Sequence, residues 1–405
     1  MIVAIAVVFI CLMLSVIIDR DIFSPGTIVS AVWLFCLIAF NVYPHSLFFS
    51  IVKFYQNITI WVLLFTLSSL FMKSIYLKQN HSNEPNNVIT KIYFYITIVA
   101  FPLVSFKIIQ LITELGINDN YFYYLRLAAL GRLKGLGDGG TSKNFFAVIW
   151  LVAFLMELLH YDKKNKWRII VLFAVNFLWA LMIMAKLVFL TLFVSILFIL
   201  YKKNIVKFRH LIVSVGVVFS FFLFLQIQRT HESMKSKDEK LTYDFFTQYV
   251  LAGMPGFEMA KPSSSKHFGE NTFRFYYALT YRTGLGDVKP VNPVMHFTDV
   301  SLKKSNPMYT NTYTALYPFY KDFGNKGVAV FAIIIGVLFG YLYQKSKRGN
   351  NPMTLVYAIL VSLLLVQFMT ENIMTALSLN IQIFVFAHLP YWVKGNFVFK
   401  LKKND

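Results

Sequence analysis

Eleven predominantly apolar blocks follow one another along the chain, separated by short polar connections and by two longer ones. Most of them approach the roughly 20 residues that an α-helix needs to cross about 30 Å of hydrocarbon. The blocks are approximately residues 2–18, 26–43, 57–72, 92–112, 145–160, 168–185, 187–201, 211–228, 327–343, 353–370 and 374–393. The pattern therefore predicts an all-α integral membrane protein, a polytopic bundle of about eleven transmembrane helices.

Two of the longer apolar stretches need to be divided. Residues 167–201 would form a helix of about 52 Å at 1.5 Å per residue, which is far too long for one crossing. We therefore divide this stretch at Ala185-Lys186 into a hairpin of two short spans. The same reasoning divides residues 352–392 near Glu371 and Asn372.

Lysine and arginine collect in four short connections, which indicates on which side of the membrane those connections lie. Short loops retained in the cytoplasm are enriched in these residues. With eleven spans all four clusters fall on one side, together with Arg20, Lys73, Lys78 and Lys91. The clusters are Lys163, Lys164, Lys166 and Arg168; Lys202, Lys203, Lys207 and Arg209; Lys345, Lys347 and Arg348; and Lys394, Lys400, Lys402 and Lys403. The amino terminus is then outside and the carboxyl terminus is cytoplasmic.

The same topology leaves two long connections outside. Residues 1–228 carry spans one to eight with a first outer loop at 113–144, residues 229–326 form the large outer loop, and residues 327–405 hold the last three spans and a cytoplasmic tail. Long translocated segments escape the positive-inside rule, so topology does not explain the positive charge in these loops.

Composition and charge exclude several classes of protein. The chain is 57% hydrophobic and 14% charged, whereas soluble domains are about half apolar and about a quarter charged. The net charge of +20 lies between apolar blocks, so membrane topology explains it and nucleic acid is not an expected partner. Cys11 and Cys36 fall inside apolar blocks, and no ligand cluster has metal spacing, so we expect no disulfide, metal or cofactor.

The large loop interleaves basic and aromatic side chains. Arg274 lies within the run Phe273–Tyr281, and Arg282 directly follows it. The planar guanidinium group can make two charge-assisted hydrogen bonds to one phosphoryl group. Aromatic faces beside polar groups suit sugar rings. The combination indicates a lipid-phosphate-linked glycan as ligand; the alternative is a folded cap with aromatics in its own core and arginines on solvent or headgroups.

Polar residues at the edges of spans have two interpretations. Lys186 lies at the outer tip of its hairpin and Lys107 lies in the outer half of the fourth span. Ionisable residues at such positions often mark functional sites, but lysines also snorkel to the headgroups. Glu371 and Asn372 form the tip of the last hairpin, where an exposed turn needs polar residues in any case.

Residues 309–343 carry a resemblance to a known family. The run Thr310-Asn311-Thr312-Tyr313-Thr314, the turn Asp322-Phe323-Gly324, Gly327 and the closing Gly340-Tyr341-Leu342-Tyr343 resemble the late outer loop of O-antigen and capsule repeat-unit polymerases of the Wzy type. The layout of many spans with two outer loops is similar too. Arg126 and Gly137 have the Arg-x10-Gly spacing of some members, whereas Lys186 stands where an arginine is usual.

The resemblance implies a metal-independent glycosyltransferase of the bacterial inner membrane. It would polymerise undecaprenyl-pyrophosphate-linked oligosaccharide repeat units at the periplasmic face, with a chain-length regulator protein and a flippase as candidate partners. Candidate general bases are His267, His296, Asp287 and Asp322, the last with an alternative role as an orienting residue. Candidate substrate-binding residues are Arg126, Arg132, Lys186, Arg274, Arg282, Asn311, Tyr313 and Tyr317. We expect the large loop and residues 310–324 to form one wall of the catalytic cavity.

Two other functions remain open at this point. An O-antigen ligase shares the layout and the donor but transfers the glycan to lipid A core. A lipid-linked glycan flippase or transporter would need charges deep inside the spans and repeat symmetry, whereas this chain carries its ionisable residues in the outer loops.

Overall fold

The computed structural model describes residues 1–75, 84–114, 121–129, 140–207, 246–291, 297–302 and 308–393, together with residues 210, 216 and 220. The helices are α1 (Ile2–Asp19), α2 (Pro25–Val42), α3 (Val52–Ser74), α4 (Asn87–Glu114), α5 (Tyr121–Ala129), α6 (Gly140–Leu159), α7 (Lys166–Ile183), α8 (Lys186–Lys202), α9 (Gly253–Glu258), α10 (Arg274–Arg282), α11 (Tyr317–Lys347), α12 (Asn351–Leu365) and α13 (Leu377–Trp392). Two short strands, β1 (Thr298–Asp299) and β2 (Tyr309–Thr310), pair antiparallel.

The helices confirm an all-α, multi-pass membrane protein. Within the described residues, six helical segments are long and apolar enough to cross a bilayer: α1 to α4, residues 163–183 and α11. Ten of the eleven predicted blocks coincide with described helices, and the eighth, residues 211–228, lies outside them apart from residues 216 and 220. The division at Ala185-Lys186 agrees with the structure, because α7 ends before Met184, whose φ of 49° is left-handed.

The ninth predicted block begins earlier than the sequence analysis placed it. Helix α11 starts at Tyr317 and contains a kink at Gly324, where φ is 63° and ψ is −152°. This left-handed conformation favours glycine. At Gly327 an added Cβ would lie 2.4 Å from the Phe319 carbonyl oxygen, so the chain after the kink needs a second glycine.

The chain divides into two compact units, and the first comprises Met1–Lys78, Asp238–Lys345 and Leu360–Asn380. In this unit α11 approaches α3 closely through Gly336 and Gly340. A Cβ at Gly336 would lie 2.6 Å from the Phe65 carbonyl oxygen, and one at Gly340 would lie 2.6 Å from that of Ser69. Small residues four apart allow two helix backbones to come this near.

Several connections of the first unit meet at one end of its helices. Leu302 donates a backbone hydrogen bond to Ser46 at 2.7 Å, and Ala315 donates one to Gln367 at 2.7 Å. At the opposite end, the Tyr343 hydroxyl donates to Asp21 at 2.7 Å. The loop segment, defined here as residues 246–291, 297–302 and 308–316, therefore lies at the end where α2 runs into α3.

The second unit comprises Gln79–Lys237, Ser346–Ile359 and Ile381–Asp405. Its core includes Ile108, Trp150 and Trp179, with the two indole rings at right angles and 5.3 Å apart. The Lys202 ammonium donates to the Ser346 carbonyl oxygen at 2.6 Å, which joins the end of α8 to the last turn of α11.

Candidate functional site

A cavity of about 720 Å³ lies in the first unit, between the loop segment, the start of α11 and residues 366–376, which connect α12 to α13. Its volume is typical of small-molecule sites. Three basic side chains and one carboxylate line it, interleaved with hydroxyl, amide and apolar groups. The charged lining residues are Lys261, Arg274, Lys321 and Glu371.

Arg274 is the first residue of α10, and the preceding aromatic residue anchors it. The ring of Phe273 lies 6.0 Å from that of Phe331 in α11. The Arg274 Nε donates to the Val291 carbonyl oxygen at 2.9 Å, while its Nη nitrogens have no hydrogen-bond partner among the described residues. Burial lowers the pKa of the Arg274 guanidinium, and the nearby Glu371 carboxylate opposes that change. The half-buried guanidinium is therefore held in one orientation, and its Nη donors can bind a ligand.

Tyr313 and Tyr317 form an aromatic pair in the cavity wall. Their ring centroids lie 4.5 Å apart, and the Lys321 ammonium lies 5.6 Å from the centre of the Tyr317 ring. The hydroxyls of Tyr313 and Thr298 are 2.5 Å apart. The next residue, Thr314, has a φ of 68°, a conformation that a β-branched residue rarely adopts. The backbone is therefore held in an unfavourable conformation at the point that orients the pair.

Asp322 lies behind the cavity wall and organises it. Its carboxylate accepts hydrogen bonds from the Asn271 amide at 2.7 Å, from the Thr272 backbone at 2.7 Å and from the Ser265 hydroxyl. Asn271 itself lines the cavity. With both oxygens occupied, Asp322 joins residues 265–272 to α11, and this geometry favours the orienting role over that of a general base.

The connection after α12 is buried, which corrects the expectation of an exposed hairpin tip. Glu371 is only 4% exposed. Its Oε1 accepts from the Ile373 and Met374 backbones at 2.6 and 2.8 Å, and its Oε2 accepts from Thr375 at 2.8 Å. Burial raises the pKa of the Glu371 carboxyl, and these backbone N–H donors oppose the rise. The Glu371 side chain therefore stabilises the turn through these hydrogen bonds and also lines the cavity.

A buried glutamine holds the same connection against the helices. The side-chain oxygen of Gln367 accepts hydrogen bonds from the indole N–H groups of Trp33 and Trp61 at 3.2 and 3.1 Å. Its backbone oxygen accepts the bond from Ala315, next to the strained Thr314. The Gln367 residue therefore connects the cavity wall to α2 and α3.

Glu258 joins the loop segment to the start of α3. Its carboxylate accepts hydrogen bonds from the backbones of Lys53 and Phe54 at 3.3 and 2.8 Å, in the first turn of α3. Negative charge is stabilising at a helix amino terminus, where backbone N–H groups lack partners. Glu258 does not belong to the cavity lining.

The residues proposed from the sequence do not all come together. Arg274, Tyr313 and Tyr317 line the cavity, with Asp322 directly behind them. Four others are exposed and are not among its lining residues: His267, Arg282, Asp287 and Asn311.

The remaining candidates lie elsewhere in the chain. Lys186 is half-buried at the start of α8 in the second unit, and Lys107 is exposed on α4. Arg126 belongs to α5, but its side chain lies outside what the structure describes. Arg132 and His296 fall outside the described residues altogether.

Several polar residues of the lining were not among the predicted site residues, including Lys261, Asn271, Lys321 and Glu371. Lys261, Asn271 and Lys321 carried no motif that distinguished them from other loop residues. Glu371 did carry a signal, because it is the only acidic residue between Asp322 and Asp405. A single carboxylate in so long and apolar a stretch is expensive to bury, so its presence points to a specific role.

The site residues contain no obvious metal position. Within the part of the chain that the structure describes, no three His, Cys, Asp or Glu side chains lie close enough together to hold a metal ion.

No family model, curated protein or solved structure matches the chain. The polymerase resemblance of residues 309–343 therefore stays a prediction.

Proposed function

We propose that this protein is a membrane glycosyltransferase that polymerises lipid-linked oligosaccharide repeat units at the periplasmic face of the bacterial inner membrane. A growing glycan on undecaprenyl pyrophosphate passes from its reducing end to a hydroxyl of the next repeat unit, which is also lipid-linked. The acceptor oxygen forms a bond to the anomeric carbon. The bond from that carbon to the pyrophosphate breaks, and undecaprenyl pyrophosphate leaves with the electron pair.

The observation that carries the proposal is the combination of cations and stacked tyrosines in one cavity. Arg274, Lys261 and Lys321 offer donors suited to a pyrophosphate, and Arg274 is held with its Nη edge uncommitted among the described residues. The faces of Tyr313 and Tyr317 suit the C–H side of a sugar ring. Asn271 and Thr298 supply hydrogen-bonding groups for sugar hydroxyls.

The cations can supply much of the rate enhancement. A hydrogen bond to a charged group contributes roughly 1.5–3 kcal/mol. Two or three such bonds that strengthen as charge develops on the leaving pyrophosphate would accelerate transfer by ~10³-fold or more. The same cations would also bind the donor before the reaction.

The position of Lys321 near the start of α11 supports a lipid-linked donor. A polyprenyl tail holds its pyrophosphate near the headgroups, so cations that meet it must lie close to helix ends. Lys321 satisfies this requirement, because it lies in the first turns of α11, a helix long and apolar enough to cross the bilayer. In the proposed topology this end is periplasmic, the amino terminus is periplasmic and the carboxyl terminus is cytoplasmic.

The test is the surface polysaccharide of a strain from which the gene has been deleted. A polymerase predicts single repeat units capped on the lipid core, and restoration of the ladder by the wild-type chain. Complete polymer that stays on its lipid carrier would instead identify a ligase. Repeat units trapped in the cytoplasmic leaflet would identify a flippase. An unchanged polysaccharide would contradict all three functions.

A further inference from the structure

The cavity contains one carboxylate whose role the cations do not explain. Among the described lining residues Glu371 is the only acidic side chain. Of the other candidate bases that the structure describes, His267 and Asp287 are exposed and are not lining residues, and the Asp322 oxygens are occupied by Ser265, Asn271 and Thr272. His296 lies outside the described residues. Any proton acceptor that the described cavity supplies to a ligand is therefore Glu371 or a tyrosine.

The Glu371 carboxylate accepts three backbone hydrogen bonds and one from a hydroxyl group. An ionised carboxylate has about four lone-pair positions on its two oxygens. Three are used by backbone N–H groups: Oε1 accepts two bonds and Oε2 accepts one, from Thr375. The Thr375 hydroxyl, which lines the cavity, also hydrogen-bonds to the carboxylate. Because this hydroxyl has a second acceptor in the Glu371 backbone oxygen, the hydroxyl of a ligand can take its position on the carboxylate. The three backbone bonds also fix the carboxylate, so its direction is set before a ligand binds.

Arg274 and Glu371, both of which the structure describes, line the same cavity without forming an ion pair. The Glu371 carboxylate still acts electrostatically on Arg274, since it opposes the lowering of the pKa of the guanidinium by burial. Because the two groups are not paired with each other, a ligand in the cavity can contact both. A pyrophosphate would meet the guanidinium side, and a neutral hydroxyl would meet the carboxylate side.

We infer that Glu371 is the general base of the proposed transfer, an inference that rests on the proposed function. Its Oε2 accepts the proton of the acceptor hydroxyl while the hydroxyl oxygen bonds to the anomeric carbon. The bond between that carbon and the pyrophosphate oxygen breaks, and the electron pair leaves with undecaprenyl pyrophosphate. The protonated Glu371 then releases its proton to water, which restores the carboxylate.

The test uses the full-length protein in liposomes with polyprenyl-pyrophosphate-linked repeat units. Glu371→Gln should lower kcat by ~10²–10⁴-fold, the usual contribution of a general base. The Kd for the donor should change little, because the cations are intact. In the wild type, kcat should fall at acid pH as Glu371 is protonated, and the Gln variant should lose this dependence. The other titratable groups lining the cavity are Lys261, Arg274, Tyr313, Tyr317 and Lys321.

Glu258→Gln is the matched control. Glu258 also accepts backbone N–H bonds but does not line the cavity. This variant should therefore keep the wild-type kcat and its fall at acid pH. If the Glu371→Gln variant transferred at the wild-type rate, or if its donor Kd rose as much as its kcat fell, Glu371 would not be the base. A flat wild-type kcat profile at acid pH would overturn the inference without any variant.

The two proposals fail in different ways. A wild-type protein that transfers no glycan under these conditions contradicts the proposed function, and the inference falls with it. A wild-type protein that does transfer, beside an equally active Glu371→Gln variant, contradicts the inference alone. If the Gln variant does not reach the membrane, Glu371→Asp replaces it. This variant should transfer more slowly, and its kcat should still fall at acid pH. Transfer whose kcat does not fall at acid pH would exclude a carboxylate base.

Discussion

The side-chain amide of Asn271 donates a 2.7 Å hydrogen bond to the Asp322 carboxylate, across a separation of 51 residues. The bond joins the loop segment to the first turns of α11 and places Asn271 in the cavity wall. The charge of Asp322 thus acts on the cavity through the residues that it holds.

Asp322→Asn should therefore destabilise the protein. An asparagine would present an amide group to donors from Asn271, Thr272 and Ser265, leaving some of them unpaired. Each buried donor without a partner costs about 1–3 kcal/mol. The measurement is the free energy of unfolding in detergent, with the exposed Asp287→Asn as control. Equal stability of the two variants would show that the network contributes little.

Gln367→Leu should also destabilise the first unit, because it leaves the indole N–H groups of Trp33 and Trp61 without an acceptor. The expected loss is about 1–3 kcal/mol for each orphaned donor. Gln344→Leu is the matched control: Gln344 is buried but has no hydrogen-bond partner among the described residues. Thermal unfolding of both variants tests this prediction, and a Gln344→Leu protein as unstable as Gln367→Leu would contradict it.

Arg274→Gln should collapse the polysaccharide ladder, because the cavity loses its guanidinium. Loss of one hydrogen bond to a charged group corresponds to roughly a 10- to 100-fold slower transfer. Arg274→Lys should retain part of the activity, since it keeps the charge but not the planar fork. Arg282→Gln, at the exposed end of the same helix, should have the smaller effect. The measurement is the polysaccharide chain length on gels, at equal protein levels in the membrane. Equal losses of chain length in the Arg274 and Arg282 variants would contradict the assignment of the site to this cavity.

Tyr317→Leu should weaken glycan binding more than Tyr313→Phe. The leucine removes the aromatic face beneath the Lys321 ammonium, whereas the phenylalanine removes only a hydroxyl that bonds Thr298. An aromatic pair contributes about 0.5–1.5 kcal/mol beyond its buried area. The readout is the KM for the lipid-linked repeat unit. A larger KM change in Tyr313→Phe would mean that the hydroxyl contacts the glycan instead.

Reporter fusions test the proposed topology. Fusions after Lys166, Lys203, Lys347 and Lys403 should report the cytoplasm, because lysine and arginine collect there. Fusions near Gly137 and Ser264 should report the periplasm. An outside signal at Lys203 would contradict the hairpin division at Lys186 and reverse the assignment of the later loops.

The sequence by itself determined the membrane-protein class, most helix positions and the division at Ala185-Lys186. These features follow from local quantities: the apolar length needed to cross a bilayer and the fixed rise of an α-helix. The aromatic and basic composition of the loop segment was equally visible, and three of the residues singled out from the sequence, Arg274, Tyr313 and Tyr317, line one cavity.

Only the tertiary structure decided which polar residues face that cavity. Glu371 looked like an exposed turn residue, and it is buried because the connection around it is held by Gln367, whose partner Trp33 lies 334 residues away. Asp322 looked like a possible base, and its oxygens are occupied by residues of the loop segment. Burial and hydrogen-bond occupancy depend on segments distant in sequence, whereas periodicity and composition report only on neighbouring residues.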